Sequence, residues 1–338
     1  MAYKFTVPAG YKSSLGVLDT QLAIKIIKDT FERELSNNLH LTRVSAPIAV
    51  RADSGLNDNL NGVERPVSFD IPSAEVDEAQ IVQSLAKWKR RALHKYGFEK
   101  GFGLYTDMNA IRRDEELDNL HSIYVDQWDW ERIIGHEDRT PDFLEEMAGE
   151  AYDALIKTQA ALLKAFPAVE RFPLPQKLYV LTTQELMDRY PDLTPNEREN
   201  AICKEQGAVL LTQIGKYLSD NSRHDGRAPD YDDWDINADI LLWNPLLERA
   251  YEISSMGVRV DAEAMDRQLS KAGCDDRRSL PFHREVLEDK LPLTVGGGLG
   301  QSRICMYLLG KAHIGEVQAS IWPNGMVCEG REVGIYLL

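Results

Sequence analysis

A run of glycines near the end of the chain is the clearest chemical signal in the sequence. Residues 296–303 read Gly-Gly-Gly-Leu-Gly-Gln-Ser-Arg and continue into an apolar, helix-like stretch. Glycine lets a backbone approach a ligand closely, and an arginine at a helix start can meet a phosphate or stack on a purine. The run lacks the Gly-Lys-Ser/Thr of a P-loop and the context of a dinucleotide fingerprint. It therefore indicates either a nucleotide site at Arg303 or a purely structural turn.

Two further segments carry charges that suit a nucleotide and a metal ion. Residues 110–115 place a basic pair beside an acidic pair, and residues 230–235 are rich in aspartate and precede Asp239 and Glu252. Acidic groups this dense repel one another unless cations neutralise them. Carboxylates beside strand-like apolar runs suit Mg²⁺. The alternatives are a solvated loop for the first segment and a plain acidic loop for the second.

Amphipathic helices and one proline-bearing strand precede these segments. Apolar residues recur at mostly four-residue steps over residues 18–39, which predicts a helix with one buried face. Residues 42–50 predict an extended strand, and Pro47 places it at an edge or an interface, since proline cannot donate to a ladder. Further helices are predicted to start at the Thr-Pro pairs 140–141 and 194–195, the second ending near residue 207.

The later strands favour an α+β fold over a doubly wound sheet. Residues 177–181, 208–211, 240–243 and 249–253 read as strands. Short loops between the later strands favour antiparallel pairing, because a parallel pair needs a crossover of a dozen or more residues.

The composition bounds the size and the class of the protein. The 338 residues are 43% hydrophobic and 28% charged, which predicts a folded protein with one core, or one core with a lobe. The opening ten residues look like a loose arm, and we expect a single catalytic domain over residues 1–338 with this short N-terminal arm. The net charge of −15 argues against a broad nucleic-acid footprint, which needs a basic surface. It does not argue against ATP, because a few arginines can hold phosphates in an acidic protein.

Cysteine usage and hydropathy indicate a soluble, cytoplasmic protein. The four cysteines lack CxxC spacing, so neither a zinc site nor a disulfide framework is predicted. The first residues lack the apolar segment of a signal peptide, and no apolar run approaches the roughly 18 residues of a membrane span. We expect no membrane partner.

Together the three charged and glycine-rich segments resemble the class II aminoacyl-tRNA synthetase fold, an antiparallel sheet flanked by helices. Residues 18–50 look like its first motif, a helix and strand at a dimer interface, so the resemblance implies a homodimer. Residues 112–115 look like the second motif and residues 296–303 like the third.

More specifically, the chain resembles the ammonia-dependent aspartate–ammonia ligases, asparagine synthetases that share this fold, over nearly its whole length. The stretches that carry this likeness are residues 58–60, 84–90, 120–131, 227–234, 239–245 and 252–259. The resemblance implies that aspartate, ammonia and ATP give asparagine, AMP and pyrophosphate through a β-aspartyl-adenylate.

The resemblance also implies the roles of individual residues. Arg112, Arg303 and Asp58 would be catalytic, with Arg112 on the α-phosphate and Arg303 packed on the nucleotide. Leu120 and Ser122 would border the adenine. The remaining implied residues are Gly298 and Gly300 for the nucleotide, Asp239 and Glu252 for Mg²⁺, and Ser84, Lys89, Gln127, Asp129, Asp232, Ser255 and Arg259 for aspartate.

Two other functions remain possible at this point. An aspartyl- or asparaginyl-tRNA synthetase core would form the same kind of adenylate and pass it to a different acceptor. A catalytically inactive relative would bind an amino acid or a nucleotide as a sensor. The absence of a basic face argues against the first, and the intact arginines and acidic groups argue against the second.

Overall fold

The computed structural model describes residues 3–60, 62–170 and 172–338, which form two sheets flanked by helices. The strands are β1 (Leu41–Arg43), β2 (Ala49–Arg51), β3 (Ser68–Ile71), β4 (Val76–Ile81), β5 (Gly103–Ile111), β6 (Tyr124–Ile133), β7 (Tyr179–Thr182), β8 (Ala208–Thr212), β9 (Asp232–Asn244), β10 (Arg249–Arg259) and β11 (Thr294–Gly300). The α-helices are α1 (Val17–Leu39), α2 (Ala86–Tyr96), α3 (Pro141–Ala165), α4 (Thr183–Arg189), α5 (Pro195–Gln206), α6 (Ala262–Ala272), α7 (Pro281–Leu287), α8 (Gln301–Leu308) and α9 (Asn324–Glu332).

The larger sheet has the order β1-β5-β6-β11-β10-β9-β8-β7. Its central pairs, from β5 to β8, are antiparallel, as the predicted α+β class requires. Both edge pairs, β1 with β5 and β7 with β8, are parallel. The expectation of antiparallel pairing was therefore wrong for β7. Helices α4 and α5 lie between β7 and β8, so the chain has the length to return in the same direction.

The strand predicted over residues 42–50 is two short strands in different sheets. Strand β1 is an edge strand of the larger sheet, whereas β2 belongs to a three-stranded sheet of order β2-β4-β3. Pro47 lies between them. Proline lacks the N–H that a continuous ladder would need, so the chain leaves one sheet there before it joins the next.

The predicted helices form where their caps and periodicity place them. Helix α1 buries Ile27, Phe31 and Leu35 completely. The Thr140 side chain accepts a hydrogen bond from the backbone of the first turn of α3, and Thr194 forms a capping box at the start of α5. Both threonines satisfy backbone N–H groups that the helix itself leaves unpaired.

The alternation of side chains along β6 separates the core from a polar face. Trp128 and Trp130 are buried in the core, and Trp128 stacks on Phe31 of α1 with ring centroids 4.6 Å apart. Residues at odd positions point to the opposite face, because successive strand side chains alternate. That face carries Gln127, Asp129 and Glu131. Within the described residues, no helix is long and apolar enough to cross a bilayer.

Candidate active site

A cavity of about 240 Å³ lies over the polar face of the larger sheet. It is lined by nearly all the residues that the sequence analysis singled out: Asp58, Ser84, Arg112, Leu120, Ser122, Gln127, Asp129, Asp232, Asp239, Glu252, Ser255, Arg259, Gly298, Gly300 and Arg303. Lys89 is the exception, since it does not line the cavity. We call this space the central cavity.

Lys89 lies beneath the cavity wall and supports it. Its ammonium pairs with Asp129 and donates to the backbone oxygens of Trp130, at 3.0 Å, and Gly297, at 3.1 Å. Burial lowers the pKa of Lys89, and the charge of Asp129 opposes that shift. The second oxygen of Asp129 is buried and has no hydrogen-bond partner within the described residues. Asp129 is thus held in place with one acceptor available.

A buried ion cluster stands beside Asp129. The Arg259 guanidinium donates to Glu131 at 2.8 and 3.0 Å and also contacts Asp232. Glu131 further accepts from the hydroxyl of Thr294 at 2.7 Å. Burial favours the neutral form of Glu131, but Arg259 and Lys89 outweigh it and lower the pKa of the carboxyl. The cluster holds Arg259 and Asp232 in fixed orientations at the cavity wall.

The glycine run is a strand, so its interpretation as a structural turn was wrong. Gly296, Gly297 and Gly298 belong to β11, between β6 and β10, and none has a positive φ angle. A Cβ on Gly296 would collide with the Glu131 carboxylate and lie 2.7 Å from Arg259 Nη2. A Cβ on Gly298 would collide with the Gln127 amide. Glycine is needed because neighbouring polar side chains cross over this strand to reach the cavity.

Two arginines bring guanidinium groups to the cavity, and one of them has an unpaired donor within the described residues. Arg112 follows the last residue of β5, and its buried Nε has no hydrogen-bond partner within the described residues. Arg303, on α8, donates to the backbone oxygen of Glu252 at 3.0 Å and lies 3.6 Å from its carboxylate. An unused guanidinium donor is costly when buried, and an anionic oxygen would satisfy it.

Asp239 and Glu252 lie on the adjacent strands β9 and β10 and face the same cavity. Burial raises the pKa of Asp239 to about 7, Arg227 opposes the rise, and Glu252 adds to it. Arg227 Nη2 lies 2.8 Å from Asp239. Within the described residues there is no group of three or more side chains suited to a metal ion. Two repelling carboxylates nevertheless fit Mg²⁺, which binds proteins through one or two carboxylates and completes its shell with phosphates and water.

The remaining predicted residues occupy the ends of the cavity. Leu120 is buried, and its N–H donates to Asp118 at 2.7 Å; the Ser122 hydroxyl lies 2.8 Å from that of Ser320. The Ser84 hydroxyl accepts from the N–H of residue 86 at the start of α2. Asp58 is buried in a loop and accepts from the N–H of Leu60 at 2.9 Å.

Two residues of the site, Arg227 and Glu131, were not predicted from the sequence. Arg227 pairs with Asp239 and contacts Ser255, so it is one of the cations that the aspartate-rich segment requires. Glu131 anchors Arg259. Both lie inside stretches that carried the resemblance. Arg227 could have been predicted because densely placed carboxylates need a nearby cation. Glu131 could have been predicted because side chains alternate along a strand, which places it on the same face as Asp129.

Comparison with known proteins identifies one family. A family model described as aspartate-ammonia ligase matches residues 18–333. A protein of Ruminiclostridium cellulolyticum named aspartate--ammonia ligase is 55% identical over 331 residues, covering 98% of each chain. A Clostridium tetani protein of the same name is 55% identical over 335 residues, covering 99% of this chain and 98% of its own.

Solved structures confirm the fold. The asparaginyl-tRNA synthetase of Entamoeba histolytica in complex with asparaginyl-adenylate is similar with a TM-score of 0.62 and 15% identity, over 89% of this chain and 66% of that chain. The Pyrococcus horikoshii asparaginyl-tRNA synthetase, also with asparaginyl-adenylate, gives a TM-score of 0.62 at 15% identity, over 90% and 70% of the two chains. The present chain spans about two thirds of these proteins. At this identity the likeness establishes a class II synthetase-like fold.

Proposed function

The chain belongs to the aspartate–ammonia ligase family and is an ATP-dependent ligase, and we propose that the central cavity forms L-asparagine through a β-aspartyl-adenylate. One observation carries the assignment of the site: a single cavity joins a buried acid–base cluster around Arg259 to the unpaired donor of Arg112. The cluster around Arg259 suits the charged groups of an amino acid, and the Arg112 donor suits a phosphate. The synthetase-core and sensor alternatives are not favoured by relatives that are named ligases at 55% identity over nearly their full length.

The amino-acid end of the cavity holds aspartate by charge. The free oxygen of Asp129 accepts from the substrate ammonium, and Arg259 faces a substrate carboxylate. Ser84, Gln127, Asp232 and Ser255 complete this end. Lys89 acts through Asp129, since it lies beneath the wall, so its role is to position that carboxylate.

In the first step the side-chain carboxylate of aspartate attacks the α-phosphorus of ATP. A new P–O bond forms, and the bond to the leaving pyrophosphate breaks. Two anions approach each other, so the main requirement is positive charge fixed at the developing phosphorane. Arg112 donates to the α-phosphate, and Arg303 packs against the nucleotide. Leu120, Ser122, Gly298 and Gly300 border the rest of the nucleotide.

In the second step ammonia attacks the activated carbonyl carbon. The C–N bond forms, the C–O bond to AMP breaks, and the adduct loses a proton. Asp58 is suited to accept this proton because burial raises the pKa of its carboxyl, against the nearby charge of Lys87.

Asp239 and Glu252 would hold Mg²⁺, which supplies charge neutralisation on the phosphates. We expect Asp239→Asn and Glu252→Gln each to raise the magnesium concentration needed for half-maximal activity, because a neutral amide is a poorer ligand for a hard cation. A magnesium titration of steady-state rate measures this. Asp235→Asn is the matched control, since Asp235 pairs with Lys216 and Arg267 and does not line the cavity. Unchanged titrations in both site variants would place the metal elsewhere.

The nitrogen source is free ammonia in this proposal. A glutaminase needs a cysteine nucleophile, whereas the first cysteine here, Cys203, is buried in α5, and burial raises the pKa of its thiol. We expect asparagine and AMP from aspartate, Mg-ATP and ammonium without tRNA. The rate at fixed total ammonium should rise towards alkaline pH, because only unprotonated ammonia has a lone pair. Glutamine supplied to ammonia-free enzyme is the control, and a rate equal to that with ammonium would disprove the assignment.

The exposed face of α1 is proposed as a homodimer interface. Leu18 and Leu22 are 73% and 53% exposed on this helix, next to the edge strand β1. Sedimentation at micromolar concentration should therefore show a species of twice the 38.3 kDa chain mass. The double variant Leu18→Glu/Leu22→Glu should shift the population towards monomer, with Lys271→Glu, an exposed lysine on α6, as a control outside α1 and β1. A wild-type protein that sediments only as a monomer would contradict the proposal.

A further inference from the structure

A second cavity, of about 200 Å³, adjoins the central cavity at Asp58. Among the described residues, Asp58 alone lines both. The second cavity, which we call the side cavity, is also lined by Asn57, Gln83, Lys87 and His283. Its wall reaches solvent at the exposed residue Asn59. The space is large enough for several molecules the size of water or ammonia.

A buried ion cluster forms one wall of the side cavity and has no place in the two steps described above. Asp230 is fully buried and lies 3.0 Å from Lys87 Nζ, 3.1 Å from Arg277 Nη1 and 2.9 Å from His283 Nε2. Asp230 thus neutralises part of the charge of Lys87 and Arg277, and the carboxylates of Asp58 and Glu64 line the same cavity. The lining therefore carries charges of both signs, and hydrogen bonding rather than net charge selects what it holds.

The same wall presents one unused acceptor. His283 is 0% exposed, and its Nε2 faces the Asp230 carboxylate, so Nε2 carries the hydrogen. Burial lowers the pKa of His283, which keeps the ring neutral. Nδ1 is then a bare lone pair, and it has no partner within residues 3–60, 62–170 and 172–338.

The wall also presents one unused donor. Gln83 is 1% exposed, its backbone N–H donates to Asn57, and its side-chain Nε2 is unpartnered within the described residues. Leaving a buried polar group unsatisfied costs about 1–3 kcal/mol, so a donor and an acceptor left open on one cavity indicate a small polar ligand. Neutral ammonia needs one donor for its lone pair and acceptors for its N–H bonds, whereas ammonium offers only N–H bonds.

Building on the proposed function, we propose that ammonia enters through the side cavity and is held there as the neutral molecule, with Gln83 Nε2 donating to its lone pair and His283 Nδ1 accepting one of its N–H bonds. Asp58 then separates the held ammonia from the adenylate. On leaving Gln83, the nitrogen lone pair attacks the activated carbonyl, AMP departs with the C–O electron pair, and the proton passes to Asp58. Gln83 and His283 thus serve the second step alone.

The test separates the two steps in the same enzyme. Aspartate-dependent exchange of pyrophosphate into ATP, without ammonia, reports the first step, and the KM for ammonium reports the second. We expect Gln83→Leu to raise the KM for ammonium about tenfold, the loss of about one hydrogen bond, with the exchange rate within about twofold of wild type. Gln176→Leu, an exposed glutamine in a loop, is the matched control.

A second variant keeps the inference testable if Gln83→Leu does not fold. Ala52 lines the side cavity and is partly exposed, so Ala52→Trp would fill the space from its outer wall. It should raise the KM for ammonium and preserve exchange. An unchanged KM for ammonium in the folded variants, or a fall in exchange equal to the fall in overall rate, would show a cavity that merely holds water around the ion cluster. Absence of exchange in the wild type would instead overturn the adenylate mechanism itself.

Discussion

Replacing Arg112 with alanine is expected to lower turnover by about 10²–10³, the range for removing one preorganised donor to a transition state. The reason is that Arg112 lines the central cavity and its buried Nε has no hydrogen-bond partner among the residues that the structure describes, so this donor is available to a ligand. Its charge matters most when two anions approach in the first step. Single-turnover formation of AMP and exchange of pyrophosphate into ATP both measure that step.

Arg113→Ala is the matched control for this experiment. Arg113 carries the same charge one residue along but is exposed and does not line the cavity. Its removal should change turnover little, since exposed charges are screened by solvent and salt. If Arg112→Ala exchanged pyrophosphate at the wild-type rate while remaining folded, Arg112 would not act on the α-phosphate.

Replacing Arg259 with leucine is expected to lower the free energy of unfolding by about 3–5 kcal/mol, the cost of removing one partner from a buried ion pair. Arg259 satisfies Glu131 and Asp232, and both carboxylates are buried. Without the guanidinium, Glu131 would keep its hydrogen bond from Thr294 and an ion pair with the more distant Lys89, which is 3.9 Å away. Urea or guanidinium unfolding at neutral pH measures the loss.

Two companion variants define the origin of this effect. Arg267→Leu removes an arginine that also contacts two aspartates, Asp233 and Asp235, but at the surface, so it should cost less than about 1 kcal/mol. Adding Glu131→Gln to Arg259→Leu should recover part of the stability, because it removes one of the stranded charges. A loss below about 1 kcal/mol for Arg259→Leu would mean that water reaches the cluster.

Local signals in the sequence predicted much of the secondary structure. The four-residue period of α1 and the Thr-Pro caps of α3 and α5 act over a single turn of helix, so neighbouring residues suffice to specify them. The pairing of strands depends on the path of the segment that connects them. The split into β1 and β2 at Pro47 and the parallel return of β8 onto β7 were therefore not predicted correctly.

The site residues were predicted in a different way, through their likeness to a family. The resemblance selected residues on four strands, two helices and several loops, and the structure brings all but Lys89 to one cavity wall. It did not indicate that Lys89 lies beneath Asp129 or that Arg227 pairs with Asp239. These contacts join residues that are 40 and 12 positions apart in the chain.

The sequence by itself determined the family, the chemistry available and the residues that carry it, because residue types and their local spacing are properties of the chain. The tertiary structure alone decided which charges neutralise one another and which remain unpaired. From the sequence, Gly296 could be a turn residue. In the structure it lies in a strand, and the Glu131 carboxylate occupies the space where a Cβ would be. Nothing in the sequence distinguishes Gln83 and His283 from other polar residues, but in the described part of the structure each lines the side cavity with one unpartnered side-chain nitrogen, Gln83 Nε2 and His283 Nδ1. Burial and distance set the energy of a charge or a hydrogen bond, and both arise only when distant segments pack together.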